Sequence, residues 1–161
     1  ATEILVAVSN EKRLQVLEHW LKVEKLLTEM DNFNGLMAVH AGLNFHEISR
    51  LKPLWKEMPE KKMRIFQATE ELMSSLDNFS NYRTRLNKTK PPFIPFQSRI
   101  LGDLTSLEQM VLFKDNGAVN FYKLTEIGQI LKLTEVAQSA HYDFPEDVEA
   151  QEYLKNVFAL P

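Results

Sequence analysis

The chain contains no cysteine, which excludes disulfides, a thiolate nucleophile and thiolate metal sites. Glycine is scarce, and the five present, Gly35, Gly42, Gly102, Gly117 and Gly128, form no phosphate-cradling or dinucleotide-binding pattern. No tightly bound nucleotide of the chain's own is expected. His40 and His46 stand on either side of an expected helix stop, while His19 and His141 are isolated, so no two share the helical spacing of a metal site. Neither a metal nor a cofactor is expected. No apolar run approaches the roughly 18 residues of a membrane helix, and no charged-then-apolar leader opens the chain. These absences predict a soluble, cytoplasmic chain that does not insert into a membrane. Glu70-Glu71 and Glu146-Asp147 are adjacent carboxylates that point apart on a helix, so acid–base pairing is not expected of them. Ser74-Ser75 and Thr105-Ser106 have no histidine nearby in sequence to activate a hydroxyl, and covalent catalysis finds no support.

What the chain does have is ordinary globular composition: 161 residues, 44% hydrophobic and 25% charged, enough for one domain around one core. The net charge of −3 is unevenly spread. Residues 1–49 carry 4 basic and 7 acidic groups, 50–99 carry 11 and 5, and 100–161 carry 4 and 10. A basic middle facing an acidic end can steer a partner of mixed charge, although solvated helix faces produce the same asymmetry. A basic face interleaved with aromatics is absent, and nucleic acid is not an expected partner.

Periodicity reads as helix nearly throughout. Leu14, Leu17, Leu21, Leu26, Leu27 and Met30 recur at three- and four-residue steps, with Ser9 or Asn10 placed to cap. Asp31 to Gly35 breaks that helix, and Leu36 to Ala41, apolar on nearly all sides, predicts a short core helix stopped by Gly42 and Asn44. A turn of helix over about Glu47–Leu51 leads to Pro53. Pro59 opens a helix whose apolar face is Met63, Phe66, Leu72, Met73 and Leu76, and Asn78 to Thr89 forms another. Pro91-Pro92-Phe93-Ile94-Pro95-Phe96 cannot be helix or central strand, because proline lacks an N–H and pushes the residue before it towards extended geometry. It predicts a stiff strap before a second amphipathic run, Ser98 to Phe113. Asp115-Asn116-Gly117 is a turn signal, Asn120 caps a helix carrying Leu124, Ile127, Ile130, Leu131 and Leu133, and Pro145 resets the chain before a last helix to about Ala159. No run of alternating β-branched residues appears. The fold class is all-α, an irregular multi-helix domain in which the strap holds a protruding helical hairpin.

The order of these pieces resembles the catalytic domain of Ras-type guanine nucleotide exchange factors. The matching words are Asn32-Phe33-Asn34-Gly35-Leu36-Met37-Ala38-Val39, Gly42-Leu43-Asn44, Ile48-Ser49-Arg50-Leu51-Lys52 with Trp55 following, Asn81-Tyr82-Arg83, the strap, Asp103-Leu104-Thr105 and Gly117-Ala118-Val119-Asn120-Phe121. Each word is short, but together they stand in the family's order and approximate spacing. Asp103 to Val119, with Leu107 and Lys114-Asp115-Asn116-Gly117, is most similar to the Ras guanyl-releasing proteins. The resemblance spans the whole chain and roughly the last two-thirds of the family domain, since the family places further helices before the position of Ala1. Apolar faces of the Leu14–Leu27 and Leu36–Val39 helices are therefore expected to lie uncovered.

The resemblance implies a partner, a Ras- or Rap-like small GTPase, and a hairpin over about residues 95–121 that opens the partner's nucleotide site. It carries Asn44, Phe79 and Phe96 over as GTPase-contact positions, and Thr105 as a hairpin position near the GTPase's metal site. The family usually directs a glutamate at the phosphate site, but Gln109 occupies that position here, with Glu108 one residue early. Glutamine lacks the charge, and one residue rotates a helical side chain by about 100°, so Glu108 is poorly placed to compensate. Two readings follow: an exchange factor, which needs no covalent chemistry, or a non-catalytic interaction module on the same scaffold.

Overall fold

A computed structural model describes residues 1–156. Among them the chain forms ten α-helices and no strand: α1 (Thr2–Val6), α2 (Asn10–Glu29), α3 (Phe33–Leu43), α4 (His46–Ser49), α5 (Lys52–Glu57), α6 (Glu60–Leu72), α7 (Ser80–Leu86), α8 (Gln97–Glu108), α9 (Phe121–Gln138) and α10 (Val148–Asn156). The all-α fold class is the one the sequence predicts.

Local chemistry sets the first boundaries. The Ser9 hydroxyl accepts the Lys12 backbone N–H at 3.2 Å and starts α2. Asp31, at φ 51, turns the chain out of that helix, and the Asn32 side chain then accepts the Gly35 N–H at 2.8 Å to start α3. The buried residues of α3 are Phe33, Leu36, His40 and Leu43, a three- and four-residue spacing that makes one face. Ala38 and Ala41 are exposed, so the expected all-round burial of this helix is corrected: a helix lying over one core needs only one covered stripe. Gly42 lies inside the helix, and Asn44 alone caps its end.

Two apolar clusters meet along α2 and α3. Ile4, Leu17, Leu21, Leu43, Ile48 and Leu54 form the first, ringed by Trp20, Trp55 and Phe66. Phe33, Leu36, Met73, Tyr82, Leu86 and Phe93 form the second. Each fully buried Leu or Phe contributes about 1.5–3 kcal/mol, so these clusters supply most of the driving force. Leu17, Leu21 and Leu36 are all 0% exposed, so most of the faces of α2 and α3 expected to lie uncovered are covered by α1, α5, α6 and the strap, while Leu26 of the α2 stripe stays 46% exposed.

Pro53 opens a helix instead of ending one: α5 carries it in its first turn, where no intrahelical N–H bond is lost. Leu76, expected on the apolar face of the next helix, is 76% exposed because α6 stops at Leu72. The helix expected from Asn78 to Thr89 is shorter, Ser80–Leu86, since Asp77, Asn78 and Phe79 all adopt left-handed backbone at φ 46, 57 and 60.

The strap is extended and docked. The Ile94 N–H donates to the Asp31 carbonyl at 3.1 Å, the Phe33 N–H donates to the Ile94 carbonyl at 2.9 Å, and Phe93 and Pro95 are buried. Beyond it α8 ends at Glu108, short of the expected Phe113. The chain turns through Lys114–Gly117, where Gly117 takes φ 77, a conformation that suits only glycine without strain. Asn120 caps α9, accepting the Lys123 N–H at 3.3 Å. Lys123 Nζ donates to the Met110 carbonyl at 2.6 Å and Asn120 Nδ2 to the Val111 carbonyl at 3.1 Å, tying the two helices antiparallel at their far end. Leu133 and Ala137 of α9 pack on the second cluster, whereas Phe121 and Tyr122 at its other end are 72% and 61% exposed. After α9, the Tyr142 hydroxyl donates to the Met30 carbonyl at 2.6 Å. Of the last helix, expected to about Ala159, the portion beyond Asn156 lies outside the described residues.

Candidate functional site

Three groups of side chains carry the site expected from the sequence, and the fold places them on separate elements. At the far end of α8, Thr105, Glu108 and Gln109 are exposed. Their spacing of three and four residues puts Thr105 near both others, while Glu108 and Gln109 diverge by about 100°. The Thr105 hydroxyl donates to the Leu101 carbonyl at 2.9 Å, so its oxygen remains available as an acceptor. Gln109 is the residue that caps the helix end. Leu107, between them, is turned inward and 7% exposed.

The second group is aromatic. The Phe79 and Phe96 rings meet edge-on with centroids 5.8 Å apart, and Tyr82 packs behind Phe96 at 6.3 Å. Both phenylalanines are half-buried, so each serves the second cluster and still presents part of its ring. The Phe96 N–H donates to the Tyr82 hydroxyl at 2.9 Å, fixing the point where the strap becomes α8. Burial pushes the Tyr82 hydroxyl pKa up, so it stays a neutral phenol.

Asn44 stands apart at the end of α3, eleven positions or roughly 16 Å along the helix from Phe33 beneath the strap. Its residue surface is exposed, but its Nδ2 lies 2.9 Å from His40 Nε2, and His40 Nδ1 lies 2.9 Å from Glu24 Oε1. Glu24 is 0% exposed and His40 5%. Burial raises the Glu24 pKa above its ordinary 4.5, against the His40 hydrogen bond, which lowers it. Thr69 of α6 stands beside the carboxylate and also favours its charge, yet no bond of normal geometry reaches Glu24 Oε2.

The sequence reading missed two arrangements. Glu24 falls on the Leu17–Leu21 stripe of α2, and a carboxylate on an apolar stripe was the available signal. The other is a clasp at the root of α8. Arg83 Nη2 donates to both Asp103 oxygens at 2.8 Å, Arg99 Nη2 reaches the same carboxylate, and Arg83 Nε donates to the Asn78 carbonyl at 2.8 Å. Asp103 and Arg99 sit four residues apart on one helix, a readable pair, but Arg83 comes from α7.

None of Asn44, Phe79, Phe96, Thr105, Glu108 and Gln109 lines either of two cavities found among the described residues. One, about 410 Å³, lies between the strap and the α8–α9 root, and the other, about 190 Å³, lies beside the Arg83–Asp103 clasp. The candidate residues are thus spread along a surface, an arrangement suited to a protein partner and not to a small enclosed substrate. Among the described residues no cluster of three or more His, Asp or Glu is placed to hold a metal, and no helix is long and apolar enough to cross a membrane.

Comparison with known proteins agrees with the words read from the sequence. The model of the RasGEF domain matches residues 1–125. Ras guanine nucleotide exchange factor A of Dictyostelium discoideum is 32% identical over 98% of this chain and 27% of its own length. Ras guanine nucleotide exchange factor R of the same organism is 34% identical over 90% of the chain and 8% of its length. Rap guanine nucleotide exchange factor 6 of Homo sapiens is 31% identical over 83% of the chain and 9% of its length. The chain therefore spans about a quarter or less of these curated relatives. With a family match across most of its length and relatives of this identity, the chain belongs to the RasGEF domain family.

Proposed function

We propose that residues 1–161 act as the larger part of a guanine nucleotide exchange factor domain, promoting GDP release from a Ras- or Rap-like small GTPase. The observation that carries this reading is the α8–α9 pair, rooted in the second cluster and ending in exposed Val111, Phe113, Phe121 and Tyr122 within the family-matched region. Exchange makes no covalent bond. A GTPase binds nucleotide and Mg²⁺ tightly, and a factor accelerates release by stabilising the emptied state, which asks for surface and wedge geometry instead of a nucleophile.

In this reading the segment over about residues 95–121 enters the partner's nucleotide site as the wedge. Thr105 and Gln109 face the place of Mg²⁺ and phosphate, with Glu108 about 100° away around the helix, while Asn44, Phe79 and Phe96 hold displaced loops of the GTPase. No cofactor of the chain's own is required. The chain works in the cytoplasm, and recruitment to membranes rests on regions outside it.

The second reading, a non-catalytic module that binds a GTPase without emptying it, draws on Gln109, which cannot repel phosphate as a carboxylate does. Release of a fluorescent GDP analogue from a panel of Ras- and Rap-type GTPases decides between them. Acceleration of at least one supports the exchange factor; binding to nucleotide-free GTPase without acceleration supports the module, and neither binding nor acceleration overturns both.

A further inference from the structure

The Glu24–His40–Asn44 chain runs from the centre of the first half of the domain to its surface, and nothing in the wedge chemistry uses its buried end. A buried carboxylate is expensive to keep, so its partners and geometry carry information. The groups facing the pair are few. On α2 there is Glu24 itself; from α6 come the Phe66 ring, 5.0 Å from the imidazole, and Thr69; from the end of α3 comes Asn44. The ion pair with each other is the only one either residue makes among the described residues.

Two cases follow from counting protons. With one proton on the pair, it lies on His40 Nδ1, held by the Glu24 carboxylate, and Nε2 is bare. Nε2 then accepts from the Asn44 amide NH₂, as the 2.9 Å contact to Nδ2 has it, which leaves Oδ1 of this exposed residue, without a hydrogen bond of its own among the described residues, as the free acceptor. With two protons, Nε2 carries one whether the other sits on Nδ1 or on the carboxyl. Asn44 must then turn its amide over to accept from Nε2–H, and it shows its NH₂ outward instead.

We propose that Glu24 and His40 are positioning residues for Asn44, and that the number of protons on this buried pair decides which end of the Asn44 amide meets a docked GTPase. The GTPase in that statement rests on the exchange-factor reading; the coupling between the pair and the amide does not. In the geometry observed, Oδ1 is presented, so the complementary group on the partner is an N–H or O–H donor. Burial raising the Glu24 pKa favours uptake of the second proton, so acidification turns the amide over.

The test has two arms on the full chain. The first follows the His40 ring nitrogens and the Asn44 side-chain amide by nitrogen-15 NMR as pH falls from about 8 to about 5, towards the ordinary 4.5 above which burial raises the Glu24 carboxyl. The expected result is a protonated Nδ1 with bare Nε2 at high pH, then proton uptake at Nε2 with the Asn44 amide resonances moving at the same midpoint. In Glu24→Gln that midpoint falls, because no carboxylate stabilises the second proton. A protonated Nε2 throughout, or an Asn44 amide indifferent to the titration, overturns the proposal. This arm works on the unmutated chain, so a variant that fails to fold does not shelter the idea.

The second arm measures kcat/KM for release of a fluorescent GDP analogue from a responsive Ras-type GTPase. A glutamine at position 24 can offer either oxygen or NH₂, so it no longer fixes the tautomer, and a loss of about two- to tenfold is expected from the weakened contact. In an Asn44→Ala background the same substitution is expected to cost nothing further; losses that multiply would make Glu24 merely structural and sink the positioning role. Should the unmutated chain release nucleotide from no GTPase, the exchange reading falls and the titration still decides the coupling.

Discussion

Replacing Asp103 by Asn tests what holds the α8–α9 pair at its angle. Asp103 receives Arg83 Nη2 on both oxygens at 2.8 Å and Arg99 Nη2 on one, so a single carboxylate joins α7 to α8. Asparagine keeps the shape but offers one acceptor, and it sets an NH₂ against two guanidiniums. A hydrogen bond to a charged group is worth about 1.5–3 kcal/mol when well formed. Here Asp103 and Arg99 are 23% and 20% exposed and Arg83 is 37% exposed, so solvent screening cuts the net loss to about 1–2 kcal/mol. For a domain of this size that lowers Tm by about 2–8 °C. The location of the loss matters more than its size. Amide hydrogen exchange is expected to rise in α8, in the Leu133–Ala137 end of α9 and in the Asn78–Phe79 turn that Arg83 also grips, while α2 and α3 keep their protection. The Tm difference from the unmutated chain should shrink at about 1 M salt, where the Debye length is about 3 Å. Loss spread evenly over all helices, or no change in α8, refutes the clasp as the mount and leaves the strap alone in that role.

Gln109→Glu is expected to speed nucleotide release by up to about tenfold, while Glu108→Gln changes it by under about threefold. Abolished exchange in Glu108→Gln with no response in Gln109→Glu means that the register is one residue off. Asp77→Gly should stabilise the domain by up to about 1 kcal/mol in urea unfolding, because glycine accepts the left-handed backbone that Asp77 holds at φ 46; no gain means that this turn is unstrained. His40→Leu strands a buried carboxylate and should cost about 3–5 kcal/mol, most of it regained when Glu24→Leu is added. The pH sign follows from the raised folded-state pKa of Glu24: the folded state binds the proton more tightly, so this group's contribution is fully present below the unfolded value near 4.5 and is lost as pH rises through the raised value. His40→Leu removes a bond that opposes the shift, so its stability should fall more steeply between about pH 4.5 and pH 8 than that of the unmutated chain. A double variant as unstable as His40→Leu alone, or a flat pH profile, contradicts this.

Much of the chain was legible from local chemistry. Ser9, Asn32 and Asn120 sit where a side-chain oxygen can take an N–H of the first helical turn, and those bonds form within three residues, so sequence suffices to place them. The strap was legible because proline removes options whatever surrounds it. The family, too, was readable, since its words are contiguous in the chain. Boundaries that hang on distant packing were not. Leu76 fits the α6 stripe, but α6 stops at Leu72, and the left-handed residues Asp77, Asn78 and Phe79 then delay the next helix to Ser80. The all-round apolar run of α3 concealed which stripe the core would cover.

For the site, sequence by itself determined which residues were candidates, because helical spacing groups Thr105 with Glu108 and Gln109 and motif order singles out Asn44, Phe79 and Phe96. Only the tertiary structure decided how they are supported. The Glu24–His40 contact joins α2 to α3 across 16 residues, and the Arg83–Asp103 contact joins α7 to α8 across 20. Side chains that far apart meet only after helices pack at a particular angle, and no periodicity along one helix encodes the face that its neighbour presents. Burial is equally a property of the assembled fold: Glu24 is one carboxylate among 22 acidic groups until α3 and α6 close over it, and that closure makes its proton matter to an amide on the surface.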